Sequence, residues 1–150
     1  MSCFNFGRED EDYPFEEEAL RFFRGIIPGW DNLEFRFPGW KGEVEKRLLA
    51  FKNAFLGEEE EPLIDYLLNL VARETPQGDR LKVWVFLFEE HLFPLLERLI
   101  YYRVNSPLGK EELSFKIKEI GELPGYSKVQ TPYDAINRII ALLQCGGEDD

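Results

Sequence analysis

The chain has 150 residues, of which 44% are hydrophobic and 15% aromatic, and this composition excludes general disorder and fits one domain with a substantial core. Its net charge of -11 makes nucleic acid and anionic membranes poor partners, because most of its surface repels phosphate groups. The same charge favours a protein partner with a basic surface.

The two ends of the chain are predicted to lie outside a single helical domain that spans 13–145. Residues 1–12 are rich in acids and poor in core-forming side chains, so we expect an acidic flexible arm. Within this arm, Phe4 and Phe6 are candidate contacts to a partner, although they could equally dock on the domain. Residues 146–150 are predicted to form a short acidic tail.

The sequence predicts a soluble, cytoplasmic protein. Cys3 and Cys145 lie near opposite ends and form neither a disulfide framework nor a zinc-binding pattern, so we expect free thiols. The first residues lack the basic and then apolar pattern of a signal segment. The most apolar stretch, 81–104, is interrupted by charges, which indicates a core helix rather than a membrane span.

The N-terminal half is predicted to contain three helices and one irregular segment. The first two helices span about 13–27 and 40–56, and the third begins within 58–62 and ends near Arg73. Between the first two, Pro-Gly-Trp turns end at Trp30 and Trp40, and 33–37 alternates as in a short extended segment. A tryptophan after each turn is a candidate binding residue, and the competing interpretation is that it anchors the loop to the core.

Residues 79–104 are predicted to form a long central helix that is kinked at Pro94. The alternative is a strand over 81–88 followed by a helix with Pro94 in its first turn. The composition of 81–88 is strand-like, but its apolar residues do not alternate with polar ones, so periodicity does not decide between the two.

The C-terminal third predicts two further helices. One begins at Ser106-Pro107 and ends near Ile120, and the last begins after Thr131 as N-cap, with Asp134 completing a capping box. The resulting fold class is all-α. We expect a compact bundle of about six helices around the kinked apolar helix, with at most one short strand or hairpin.

His91 and Arg98 are the candidate binding residues of the central helix. On an ideal helix both lie on the side that also carries Trp84 and Leu87, opposite most of the charged residues. A buried cation needs a partner, and Asp65 of the third helix is one candidate for a structural ion pair. The alternative is an anion-binding or ligand-binding pocket within the bundle.

Glu58, Glu61 and Asp65 are a weak candidate metal site, because their spacing places three carboxylates on one helical face. Such a site would favour a small Mg²⁺-dependent all-α hydrolase. The helix dipole explains glutamates at a helix start without any metal. The sequence contains no nucleotide-binding or catalytic motif, and no cofactor is expected.

The function predicted from these features is a non-enzymatic protein-interaction module, an adaptor or a regulatory subunit. An acidic mimic of nucleic acid that blocks a basic cleft is the first alternative. A helix-turn-helix regulator is another, although the helix 131–144 that would enter the groove offers only Arg138 as a base. A homodimer is compatible with the same features.

Overall fold

Six helices form the part of the chain that the computed structural model describes, namely residues 15–31, 39–105, 109–123 and 128–144. In chain order they are α1 (Phe15–Ile26), α2 (Trp40–Ala54), α3 (Glu61–Arg73), α4 (the continuous segments Gly78–Phe86, Leu87–Leu92 and Phe93–Asn105), α5 (Lys110–Gly121) and α6 (Pro132–Gln144). No strand occurs within these four ranges. The predicted all-α bundle of about six helices is confirmed.

Some predictions concern residues that lie outside the described ranges. These are the arm 1–12 with Phe4 and Phe6, the extended segment 33–37, Cys3, Cys145 and the tail 146–150. They stay predictions.

The longest helix, α4, lies at the centre of the core. Trp84, Phe88 and Leu92 of α4 are almost completely buried, and α1, α6 and α5 pack against its first, middle and last segments respectively. The central helix predicted over 79–104 is thus confirmed, and the alternative strand over 81–88 is wrong, since Gly78–Phe86 is α-helical. Among the described helices, none combines the length and apolar character needed to cross a membrane.

A π-helical turn interrupts α4 at Leu87–Leu92, directly before Pro94. Proline has no amide hydrogen, and its ring displaces the carbonyl four residues earlier, so α-helical hydrogen bonding cannot continue through it. In this turn the Phe93 amide donates to the Phe88 carbonyl, which is the spacing of a π-helix. The interruption expected at Pro94 therefore takes the form of a widened turn on its N-terminal side.

Of two helix starts, one agrees with the prediction and one lies later in the chain. Helix α3 begins at Glu61, within the predicted stretch 58–62, after turns that pass through Gly57 with a φ of 84°. Helix α5 begins at Lys110 rather than at Ser106. Just before it, a Cβ on Gly109 would lie 2.7 Å from the Tyr101 ring, so any larger residue there would require the ring to shift.

The start of α6 agrees with the predicted capping box. The Asp134 amide donates to the Thr131 hydroxyl oxygen at 3.1 Å, and the Thr131 amide donates to the Asp134 carboxylate at 3.2 Å. Each side chain thus satisfies a backbone amide that has no partner within the helix.

Candidate functional site

His91 lies in the π turn of α4 and is 5% exposed. Burial first, and then the positive charge of Lys116, lower the pKa of His91 to about 4, against an opposing effect of Glu119. The imidazole is therefore neutral at pH 7, with one N–H and one acceptor nitrogen. Its Nδ1 atom is buried and has no hydrogen-bond partner among the described residues.

A cavity of about 550 Å³ lies against His91, between α1, the middle of α4 and α5. We term it the His91 groove. Its apolar wall includes Phe22, Ile26 and Phe86, and its polar wall includes Glu90, His91, Lys116, Glu119 and Glu122. The volume lies within the range of roughly 300–1,000 Å³ that is typical of ligand sites in proteins.

Lys116 binds a backbone carbonyl of α4 one turn before Pro94. The Glu90 carbonyl would accept the amide of residue 94 in an α-helix, and proline has none to donate. The Lys116 ammonium takes this place, donating to the Glu90 carbonyl oxygen at 2.9 Å. Lys116 is only 7% exposed, so the bond gives a buried ammonium a hydrogen-bond acceptor.

Glu119 neutralises the charge of Lys116. Its carboxylate lies 2.6 Å from the Lys116 ammonium, one turn along α5. Partial burial acts to raise the pKa of Glu119, but the hydrogen bond and charge of Lys116 outweigh it, so that pKa is lowered overall. The inner polar wall of the groove thus consists of a compensated ion pair and a neutral imidazole.

The rim of the groove is acidic. Glu90 and Glu122 are exposed, and neither carboxylate has an ion-pair partner among the described residues. On the opposite wall, Phe22 is 37% exposed and Ile26 is 43% exposed. The groove therefore presents uncompensated negative charge beside accessible apolar surface.

Arg98 does not line this groove, although its charge helps to lower the pKa of Glu119. Its guanidinium donates to the Pro94 carbonyl of its own helix at 3.2 Å and makes no ion pair with any carboxylate in the described ranges. The ion pair considered with Asp65 is not formed, since Asp65 lies 2.8 Å from the Lys52 ammonium instead.

Trp30 and Trp40 pack against the body of the domain, away from the His91 groove. The Trp30 ring lies 4.9 Å from the Lys82 ammonium, within cation–π distance. The Trp40 ring meets the buried Trp84 ring edge-to-face, with centroids 6.1 Å apart. Both contacts agree with the interpretation that these side chains anchor the irregular segment.

The three carboxylates of the candidate metal site each have a different partner. Glu58 precedes α3 and pairs with Arg103 at 3.6 Å. The Glu61 carboxylate accepts the Gly57 amide at 2.9 Å, and Asp65 pairs with Lys52. Within the described ranges, no group of three or more such side chains could hold a metal ion.

Arg138, the base of the helix that would enter a DNA groove, is 4% exposed. Its guanidinium donates to the Leu123 carbonyl at 2.8 Å, on the side of α6 that faces the core. Burial lowers the pKa of Arg138. A phosphate could not reach this side chain without a rearrangement of α6.

Lys116, Glu119 and Glu122 were missed by sequence reasoning, although one signal could have found Lys116. It follows Leu113 and precedes Ile117 and Ile120 on the apolar face of α5, where a lysine is unexpected. A buried lysine needs an acceptor, and Pro94 leaves a carbonyl without a donor in the neighbouring helix.

Comparisons of the chain with protein-family models, with curated proteins and with solved structures found no match.

Proposed function

We propose that the chain is a non-enzymatic protein-interaction module, an adaptor or a regulatory subunit, whose His91 groove binds a segment of a partner protein. The observation that carries this proposal is the combination of an accessible apolar wall and an uncompensated acidic rim in one cavity. A segment with an apolar anchor and basic neighbours complements both.

The apolar wall supplies the affinity. Phe22 and Ile26 remain more than a third exposed beside the Phe86–His91 ring pair. Covering such surface stabilises a complex by about 25 cal/mol per Å² of apolar area removed from water. Anchor side chains that fill a pocket commonly dominate the binding energy of an interface.

The acidic rim supplies the preference for a basic partner. Glu90 and Glu122 lie at the mouth of the groove without cations of their own among the described residues. The net charge of -11 adds a long-range attraction for positively charged surfaces. Complementary charge of this kind increases association rates and selects against acidic partners.

The proposal is tested by capture from native lysate on three immobilised proteins, followed by mass spectrometry. These are the wild type, the groove variant Glu90→Lys/Glu122→Lys and the control variant Glu111→Lys/Glu112→Lys. The control changes the net charge equally at exposed positions of α5 outside the groove. We expect a partner that the wild type and the control retain and that the groove variant loses.

Two results would contradict the proposal. If both variants lose the partner equally, binding follows the overall charge, as an acidic mimic of nucleic acid requires, with affinity falling steeply as salt increases. If the set of captured proteins is the same for the groove variant and the control, the empty set included, the groove is not a docking site.

A further inference from the structure

We infer that the His91 groove binds a second copy of this chain, through an outward surface of helix α2 and the turn after it. This surface consists of Lys46, Leu49 and Leu56, and we term it the α2 face. The inference rests on the proposed docking role of the groove and names a specific occupant for it.

The charge of α2 is the first argument for this occupant. Among the helices in the described ranges, α2 alone has a positive net charge, because it carries four basic and two acidic residues in a chain whose net charge is -11. Two of its cations are paired within the chain, Arg47 with Glu97 and Lys52 with Asp65. Lys46 is exposed and has no ion-pair partner among the described residues, so it complements the acidic rim of the groove.

The α2 face also exposes apolar side chains. Leu49 is 54% exposed and Leu56 is 59% exposed. Leu49 follows Lys46 by three residues, so the two side chains are neighbours on one side of the helix. The α2 face therefore presents an apolar anchor beside a cation, which is the combination that the apolar wall and the acidic rim of the groove complement.

Other exposed apolar side chains have less suitable charges beside them. Phe115 is 65% exposed, but Glu111 and Glu119 lie one turn before and one turn after it on α5, and the acidic rim would repel them. Val104 is 74% exposed, but the guanidinium of the adjacent Arg103 already pairs with two glutamates. Of these surfaces, the α2 face matches the groove best in both charge and apolar character.

A helix suits this groove because its backbone polar groups are satisfied internally. The walls of the groove are formed mainly by α1, α4 and α5, whose backbones are themselves hydrogen-bonded as helices. The Glu90 carbonyl, which Pro94 leaves without a helical donor, already accepts the Lys116 ammonium. An extended segment would find few backbone partners there, whereas a docked helix needs none.

The α2 face that enters the groove must belong to a second copy. None of the groove-lining residues in the described ranges belongs to α2, and the opposite side of α2 packs on α4 through the Trp40–Trp84 and Phe51–Phe93 ring contacts. Two copies of net charge -11 repel one another at long range, so the attraction acts only at contact and the association increases with protein concentration. A bound second copy competes with a foreign partner for the groove.

The test is sedimentation equilibrium of the full chain in about 0.15 M salt, where charges more than about 8 Å apart are largely screened. The wild type is compared with Lys46→Glu, with the groove variant Glu90→Lys/Glu122→Lys and with the control Lys110→Glu, which reverses an exposed lysine outside both surfaces. We expect the wild type and the control to self-associate with dissociation constants within about twofold of each other. Lys46→Glu and the groove variant should each associate at least about tenfold more weakly.

An equimolar mixture of Lys46→Glu and the groove variant gives the decisive measurement. In the mixture, the lysines introduced at the rim of one protein face the glutamate introduced in the α2 face of the other, and the unchanged surfaces of the two proteins also match. We expect the mixture to regain the association of the wild type. Leu49→Ser alone should weaken association as well, because it removes the apolar contact.

Three results would overturn the inference. They are a wild type that stays monomeric up to about 1 mM, charge variants that associate like the wild type, and a mixture that does not recover. Each leaves the proposed function standing, because capture from lysate tests a foreign partner separately. Conversely, if the mixture recovers but the groove variant captures the same proteins from lysate as its control, the inference is supported and the proposed function is wrong.

Discussion

At the scale of single residues, His91 is kept neutral by its surroundings. The folded chain encloses the imidazole beside the Lys116 ammonium, and both burial and that charge disfavour its protonation. Glu119 opposes them but is already engaged by Lys116. An unfolded chain has none of these restraints, so the two states bind protons differently in mildly acidic solution.

This difference predicts a loss of stability in mild acid. The unfolded His91 has a pKa near 6.5 and the folded one near 4, so the unfolded state takes up a proton first as the pH falls. The free energy of unfolding should therefore decrease from pH 6.5 to pH 4, by up to about 3 kcal/mol at the lower limit. Urea denaturation across this range measures the effect.

The control for this measurement is His91→Gln, which cannot titrate. Carboxylates with lowered pKa values, such as Glu119, also withdraw stability as the pH falls, and they do so in both proteins. The difference between the two profiles isolates His91. Parallel profiles from pH 6.5 to pH 4 would show that His91 has the same proton affinity in both states.

The residues of the groove could be predicted from the sequence only in part. The burial of His91 followed from its position among apolar residues of one helix, which is local information. Lys116 and Glu90 belong to different helices and are 26 residues apart in the sequence. Helical periodicity predicts which side of a helix is buried, but it does not predict contacts between two helices. The Arg98 guanidinium donates to the Pro94 carbonyl of its own helix, a contact that helical periodicity does not predict either.

At the scale of elements, α4 depends on a substitute for one helical hydrogen bond. Pro94 removes the amide that the Glu90 carbonyl would accept, and Lys116 of α5 supplies a donor in its place. Mutations at Pro94 and Lys116 should therefore have coupled effects on stability, although Pro94 belongs to α4 and Lys116 to α5.

A double-mutant cycle tests this coupling. Lys116→Met is expected to lower the free energy of unfolding by about 1–3 kcal/mol, because it leaves the Glu90 carbonyl without a donor. In the Pro94→Ala background the alanine amide can donate to that carbonyl, and Lys116→Met should cost at least about 0.5 kcal/mol less. Urea denaturation of the four proteins gives the coupling. Equal costs in both backgrounds would mean that Lys116 stabilises the fold by another contact.

The elements differ in how far their ends could be predicted. The start of α6 was predicted correctly because Thr131 and Asp134 satisfy each other's amides within four residues of chain. Pro94 was recognised as an interruption, but its form was not, since a kink and a π turn are both compatible with the same proline. The buried packing of Phe88 and Leu92 that accompanies the π turn involves neighbouring helices.

At the scale of the whole molecule, one long-range pair joins the start of α3 to the end of α4. Glu60 is 1% exposed, and its carboxylate lies 3.0 Å from the Arg103 guanidinium. Arg103 also lies over the Phe55 ring at 5.4 Å. The turns between α2 and α3 are thereby attached to the central helix, which sequence separation alone does not reveal.

We expect Arg103→Met to destabilise the fold more than Arg98→Met. The first leaves the Glu60 carboxylate buried without its cation and should cost about 2–4 kcal/mol, somewhat below a fully buried pair because the Arg103 side chain is 34% exposed. The second removes one bond to the Pro94 carbonyl and should cost about 1 kcal/mol or less. Denaturant unfolding of both variants compares them.

Glu60→Gln supplies the control for this comparison. In the Arg103→Met background it replaces the buried charge with a neutral amide and should restore part of the lost stability. A failure to restore any stability, or a larger cost for Arg98→Met, would contradict the role assigned to the Glu60–Arg103 pair.

Trp84 donates its indole N–H to the Leu143 carbonyl at 3.0 Å, near the end of α6, while its ring is 1% exposed. The fluorescence of Trp84 therefore reports whether α6 is packed against α4. Trp84 should fluoresce at short wavelength and resist collisional quenchers, whereas the half-buried Trp30 and Trp40 respond to them first. If α6 detaches before the remaining helices unfold, the emission of Trp84 should shift to longer wavelength and become accessible to quenchers.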